Sequence, residues 1–477
     1  MVKSFAASAV TIAVLLSACT VGPDYQRPTS ELPVAWIAAG DEAKPADGAG
    51  EHWWDLYGDP VLGQLVNEAL SHNADIQVAA ARVLQARAQA GLIDADGAPV
   101  VFANASANRT RSSQDSAFPL QPGTPAIQNN FRATLEASYE LDLWGKYRRA
   151  SEAARAELLA ADSAQQAVRL SLVADVIQQY FALLAADQQA AAAQRVLASR
   201  GESLELLRKR LTAGVASRFD LHVSEAEEAV ARSQLATATQ SQARQEAVLA
   251  VLLGRSPRDV MDGTVTRGTP AAQTVLWVPA GLPSDLLLRR PDIRQAEQLL
   301  IAANARIGAA RSQVFPSISL TGLVGSESTD LSNLFSGPAG IFQFAAAVTQ
   351  PIFNAGRTTH ALRVAEAQRE QALLQYRQAI ANAFRDVRIA LAGQEAARLT
   401  LQAETQRAES LGFAFKQAGL RYEGGISSRL DVLDVERQLL QAELARIDAL
   451  RAQHAAVADL FKALGGGWPV AETARRE

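Results

Sequence analysis

An internal duplication constrains this chain more than any other feature. "GVASRFDLHVSEAE" begins at Gly214 and "GGISSRLDVLDVER" at Gly424. Gly214, Ser217, Arg218 and Asp220 meet Gly425, Ser428, Arg429 and Asp431 at a constant offset of 211 residues. The same offset of 211 joins Gly145-Lys146 to Gly356-Arg357 and Leu253-Gly254 to Leu464-Gly465. Further upstream the offset is 217, which joins Asp75-Ile76 to Asp292-Ile293 and Pro99 to Pro316. The difference falls in the longer first-copy loop "SSQDSAFPLQPGTPAIQNN", and length changes collect in exposed loops. Self-similarity on this scale means one structural unit used twice. The expected repeats are residues 61–254 and 282–465, joined by a linker at 255–281, with a tail at 466–477.

Each unit starts with a helical stretch, about Val61 to Ala95. Its apolar residues Leu62, Leu65, Val66 and Leu70 recur at helical spacing, and Pro99 lies beyond its end. "VVFANASANRTRS" follows as a strand. After the loop comes "FRATLEASYELDLW", where Phe131, Ala133, Leu135, Ala137, Tyr139, Leu141 and Leu143 take every second position. That period of two gives a strand with one apolar face. "SISLTGLVGSES" and "FQFAAAVTQPIF" repeat the pair in the second copy. From Lys146 to about Thr212 there is no proline, so one helix of roughly 100 Å is expected, at about 1.5 Å per residue. A return helix of about half that length follows the Gly214 turn. A soluble helical bundle would leave the four alternating strands unexplained. Four strands are too few to close a barrel, but three chains would supply twelve, within the range of membrane barrels.

The N-terminus supports a membrane destination. Lys3 and the short apolar run "FAASAVTIAVLL" have the form of a leader too short to be a stable span. Leu16-Ser17-Ala18-Cys19 resembles the lipobox of bacterial lipoproteins. That resemblance implies removal of residues 1–18, a lipid on Cys19 as the only covalent addition, and a lipidated segment over 19–60. Thr20 after the cysteine fits sorting to the outer membrane. Cys19 is the only cysteine, so no internal disulfide is available. No later segment reads as a transmembrane helix, so any crossing is expected to be a β-barrel. A formal charge of −4 from 46 basic and 50 acidic side chains does not suit nucleic-acid binding.

Several stretches together resemble the outer-membrane factor family, the TolC-like channels, and within it the OprM/NodT-type lipoprotein branch. They are "CTVGPDYQRP", "WWDLYGDPVLGQLVNEALSHNADI", "LDLWGK", "LPSDLLLRRPDIRQAEQLLIAANARIGAARSQVFPSISLTG", "QPIFNAGR" and "RYEGGISSRLDVLDVERQLLQAEL". The resemblance implies a mixed α and β membrane protein. Its expected form is a homotrimer with a twelve-stranded β-barrel, four strands per chain, continued by a long periplasmic α-helical barrel. It also implies a passive efflux conduit in the outer membrane, with no chemical step. Its partners would be a periplasmic adaptor, an inner-membrane transporter of the resistance–nodulation–division (RND) type and outer-membrane lipids. The same fold also serves as the duct of type I protein secretion, which stays open as an alternative. A periplasmic adaptor would carry one hairpin rather than a duplicated helix–strand–strand–helix order.

The two glycine turns would be the periplasmic tip. Ser217 and Ser428 suit N-caps, and Asp220 and Asp431 three residues on suit an acidic capping box and the helix dipole. Asp434 is left over by capping, and it shares a helix face with Asp431. The family resemblance implies that Asp431 and Asp434 narrow the closed entrance and select cations. It also implies polar links at the tip, for which Asp220, Tyr422 and Arg429 are the candidates. Gly214, Gly424 and Gly425 would permit the tight turns and meet the adaptor. Trp53 and Trp54 are read as packing the N-terminal segment onto the helices rather than as interfacial anchors. The histidines His52, His72, His222, His360 and His454 are scattered without metal-ligand spacing, so no metal site is expected. No phosphate loop or nucleophile elbow is present in the sequence.

Overall fold

The computed structural model describes residues 20–29, 52–113, 115, 123–263, 265–268 and 289–467. In the first repeat these form α1 (Pro60–His72), α2 (Ala74–Asp96), β1 (Val100–Arg111), β2 (Ile127–Glu140), α3 (Lys146–Thr212) and α4 (Arg218–Leu252). A short α5 (Pro257–Asp262) follows. The second repeat forms α6 (Pro291–Ser312), β3 (Ser317–Ser328), β4 (Gly340–Thr349), α7 (Arg357–Glu423) and α8 (Arg429–Leu464). The two long helices both run 67 residues, and the return helices run 35 and 36. Cys19 and the Leu282–Leu288 part of the stretch "LPSDLLLRRPDIRQAEQ" lie outside the described residues.

Three expectations need correction. The first helical stretch is two helices, because Asn73 between them is extended at ψ 134°. β2 takes Ile127–Asn130 from the expected loop and ends at Glu140, so Leu141 and Leu143 lie beyond it. β4 ends at Thr349, so Gln350–Phe353 of the expected strand lie beyond it. One window of α3 reaches a mean hydropathy of 1.3, enough by length and composition alone to cross a membrane. Half of that window is buried inside the protein, as in a packed core helix.

The described residues fall into two compact units, one from the described parts of Met1–Thr29, Val83–Ala161 and Ala296–Tyr376, the other from those of Ser30–Arg82, Asp162–Gln295 and Arg377–Glu477. The first contains an antiparallel sheet in the order β1-β2-β3-β4. Its central pairing joins the two repeats, with Leu135 opposite Val324 and Arg132 opposite Glu327. Side chains alternate across a strand, so the register sorts the faces. Ala103, Leu135, Val324 and Phe342 form one apolar row across all four strands. This row faces outward, with Leu135 54%, Val324 56% and Phe342 74% exposed. The opposite face holds Thr134, Glu136, Arg132 and Glu327, the last two 3.8 Å apart. Such a sheet leaves its apolar row uncovered within the chain, the reverse of a soluble core strand.

Two signature motifs meet at the end of β2. Trp144 of "LDLWGK" stacks on Phe315 of "FPSISL" at 4.7 Å, and its indole N–H donates to the Pro316 carbonyl at 2.8 Å. The N-terminal strap is tied to the same place, with the Val21 N–H donating to the Trp144 carbonyl at 3.1 Å. The strap then crosses α6 where Gly22 meets Gly308. A Cβ on Gly22 would lie 2.5 Å from the Gly308 Cα, so both positions require glycine. Beyond the crossing, Arg27 grips Glu297 with two bonds at 2.6 and 2.7 Å.

In the second unit the duplication is visible in three dimensions. Asn73 donates to the Leu252 carbonyl at 2.9 Å, and Arg290 donates to the Ala463 carbonyl at 2.7 Å. These are equivalent bonds under the two sequence offsets, each tying the start of one helix to the end of a return helix. Gly254 and Gly465 close the same contacts, at φ +73° and +90°. Trp53 is buried and stacked on Phe461 at 4.6 Å, the packing role expected for it. The expected linker is partly structured. It contains α5, and Arg267 pairs with Glu246 at 2.6 Å and Asp187 at 3.3 Å.

A polar seam joins α3 to α8. Asp175 meets Lys462 at 3.4 Å, Gln178 meets Asp459 at 2.7 Å and Gln189 meets Asp448 at 3.0 Å. Arg195 then meets Glu443 at 3.8 Å and Arg200 meets Glu436 at 3.2 Å. Each step up α3 is matched by a step down α8 equal to within two residues, the mark of antiparallel helices in one register. The buried Arg200 also lies 3.8 Å from Glu227 of α4, so one guanidinium serves both return helices.

Candidate functional site: the two helical hairpin tips

Both tips are built the same way. The Val215 N–H donates to the Arg210 carbonyl at 2.9 Å, and the Gly214 N–H to the Leu211 carbonyl at 3.0 Å. In the second copy the Ile426 N–H donates to the Arg421 carbonyl at 2.8 Å, and the Gly425 N–H to the Tyr422 carbonyl at 3.0 Å. This pair of bonds is the Schellman ending, which needs a left-handed residue after the helix. Gly214 and Gly425 supply it at φ +76° and +71°. Gly424 does not, because it stands where the first copy has Ala213, and a Cβ there meets only ordinary contacts from 3.4 Å outward. Gly425→Ala is therefore expected to cost about 1–2 kcal/mol, the penalty of a left-handed L-residue. Gly424→Ala is expected to stay within about 0.5 kcal/mol. Hydrogen exchange at the Ile426 amide checks this, with faster exchange only in the Gly425 variant.

The return helices start with full capping boxes. The Asp220 N–H donates to Ser217 Oγ at 3.1 Å, and the Ser217 N–H donates to Asp220 Oδ2 at 3.4 Å. The matching bonds between Asp431 and Ser428 measure 3.3 and 2.8 Å. The Ser428 hydroxyl, then its backbone N–H, hold the exposed Asp431 carboxyl below its usual range, with Arg421 adding a small pull. Capping thus occupies Asp431 as fully as Asp220.

Asp434 is placed differently. It lies one turn beyond the cap, where Arg437 donates to its Oδ1 and Gln438 to its Oδ2, the latter at 2.7 Å. The sequence reading missed both partners, although Arg437 stands three residues after Asp434 and is legible as an i, i+3 pair. Tyr422 is half-buried and Arg429 partly exposed. Within one chain, among the described residues, neither joins Asp220 by a hydrogen bond or ion pair. Apolar side chains crown both tips, with Val215 and Phe219 on the first and Ile426 and Leu430 on the second, all largely exposed.

Comparison with known proteins agrees with this architecture. The profile of the family described as "Outer membrane efflux protein" matches residues 65–255 and 282–466, once per repeat. The Escherichia coli cation efflux system protein CusC is 35% identical over 466 residues, covering 96% of this chain and 97% of that protein. The Pseudomonas putida antibiotic efflux pump outer membrane protein ArpC is 37% identical over 476 residues, covering 98% and 96%. The crystal structure of the Campylobacter jejuni CmeC outer membrane channel superposes with a TM-score of 0.90 at 26% identity, over 95% of this chain and 96% of that one. The fold is accordingly TolC-like, with four strands per chain, long helices and two repeats. This chain belongs to the outer membrane efflux protein family and is an outer-membrane channel of efflux pumps.

Proposed function

We propose that three copies of the chain form a homotrimer whose strands close into one twelve-stranded barrel. The observation that carries this reading is the exposed apolar row on a sheet whose outer edges, on β1 and β4, are unpaired among the described residues. An open edge with an apolar outer face is stable in a bilayer only when further strands close it. The helical tips form the periplasmic entrance, with Asp431 and Asp434 at its constriction. Asp220, Tyr422 and Arg429 link neighbouring hairpins there. The turns at Gly214, Gly424 and Gly425 meet a periplasmic adaptor, and the exposed Val215, Phe219, Ile426 and Leu430 give it an apolar surface. An inner-membrane RND-type transporter supplies the energy. The relatives are named for cations and for antibiotics, and the cargo here is drugs or other small molecules selected by the transporter. A lipid on Cys19 anchors the N-terminus. The bond from Val21 to Trp144 supports an anchor beside the strands.

In planar bilayers the purified protein is expected to give a cation-selective conductance that rises when Asp431 and Asp434 are both replaced by Ala. Absence of conductance, even with those replacements, overturns the channel assignment at the tip. Cys19→Ser is expected to abolish lipid labelling in cells, and continued labelling overturns the anchor.

A further inference from the structure

We infer that Arg437 sets the ion selectivity of the entrance by cancelling the charge of Asp434. This rests on the reading that Asp431 and Asp434 line the constriction, and goes beyond it by assigning a third residue with the opposite effect. Both oxygens of Asp434 are engaged within the chain, Oδ1 by the Arg437 guanidinium and Oδ2 by the Gln438 amide at 2.7 Å. Among the described residues Asp431 forms no such ion pair: its Oδ2 is bound by the neutral Ser428 hydroxyl and backbone N–H, with only a small pull from Arg421. Asp431, Asp434 and Arg437 together therefore carry only about one net negative charge per chain.

The comparison of repeats gives independent support. At the offset of 211 residues the first copy has Val223 for Asp434 and Ala226 for Arg437, while Asp220 and Asp431 correspond. The acid and the base are thus both confined to the hairpin that carries the extra carboxylate. A purely structural pair on an exposed helix contributes only a few tenths of a kcal/mol. Its side chains are exposed, Arg437 at 68% and Asp434 at 47%, which places the pair in solvent where a passing ion would feel both charges. Arg437 starts about 4.5 Å further along the helix axis than Asp434, so it reaches back to the carboxylate.

The test is the cation-to-anion permeability ratio, from reversal potentials in a potassium chloride gradient at low ionic strength, where screening is weakest. Arg437→Gln is expected to raise the ratio at least about sevenfold, because deleting even one positive charge about 7 Å from an ion in water shifts cation and anion about threefold each in opposite directions. Arg437→Lys is expected to keep the parent ratio. Asp434→Asn combined with Arg437→Gln removes both charges and is expected to return the ratio to near the parent value. An unchanged ratio in Arg437→Gln, with a lowered one in Asp431→Asn, overturns the role of Arg437 and leaves the constriction reading standing. If Asp431→Asn, Asp434→Asn and Arg437→Gln all leave the ratio unchanged, the constriction reading falls and this inference with it.

Discussion

Arg290→Ala is expected to lower the stability of the helical unit by about 2–3 kcal/mol, the cost of losing charge-assisted hydrogen bonds whose acid partners stay partly in water. Three partners are left behind. Arg290 bonds Asp292 at 2.8 and 3.0 Å, Asp386 at 3.1 Å and the Ala463 carbonyl at 2.7 Å. Burial works against its charge, but the Asp292 and Asp386 carboxylates outweigh that and hold the guanidinium charged above its ordinary range. One side chain thus ties the start of α6 to the middle of α7 and the end of α8, where a cation also suits the helix dipole. Arg290→Lys is expected to recover only part of the loss, because an ammonium cannot present the same fork to two acids and a carbonyl. Thermal unfolding in detergent, followed by circular dichroism, checks both. The equivalent Asn73→Ala loses only neutral hydrogen bonds and should cost about 1–2 kcal/mol. Equal losses at the two positions would contradict the charged-clamp account.

Acidification is expected to destabilise the same unit through His454. Its ring stacks on Phe181 at 4.1 Å, and burial pushes its pKa down from 6.5 to about 4. Above pH 6.5 the imidazole is neutral whether folded or unfolded, and contributes no pH dependence. Between pH 6.5 and about 4 the unfolded chain takes up a proton that the folded chain refuses, so stability falls as the pH drops through that window. The full loss is on the order of 3 kcal/mol, at about 1.4 kcal/mol per pKa unit. Melting temperatures at pH 7.5 and pH 5 read the effect. His454→Gln, neutral at both, should show a smaller drop between them. An equal drop in parent and variant would move the acid sensitivity elsewhere. Asp459 works in the opposite sense, because burial raises its pKa and the folded chain then takes up its proton more readily than the unfolded chain.

Much of this molecule was legible from local patterns. The absence of proline from Lys146 to Thr212 gave a helix with those bounds, because backbone propensity alone carries that far. The alternation around Phe131–Tyr139 gave a strand with an apolar face, since the period of a strand is independent of its neighbours. Capping by Ser217 and Ser428 was local chemistry between residues three apart. The break at Asn73 was not legible. The stretch around it has helical spacing, and the extended residue is held by a carbonyl 179 positions away. The Gly22–Gly308 crossing was hidden for the same reason, as neither glycine signals its partner.

By itself the sequence determined the duplication, the element types, the glycine turns and the family, because each is written in spacing along the chain. Only the tertiary structure decided which residues meet. It paired the repeats through β2 and β3, set α3 against α8 in one register, and made Arg290 a clamp rather than one more surface arginine. Those outcomes depend on long-range pairing and burial, where the energy of a charge or a glycine is set by atoms hundreds of residues distant, and no local pattern carries that information.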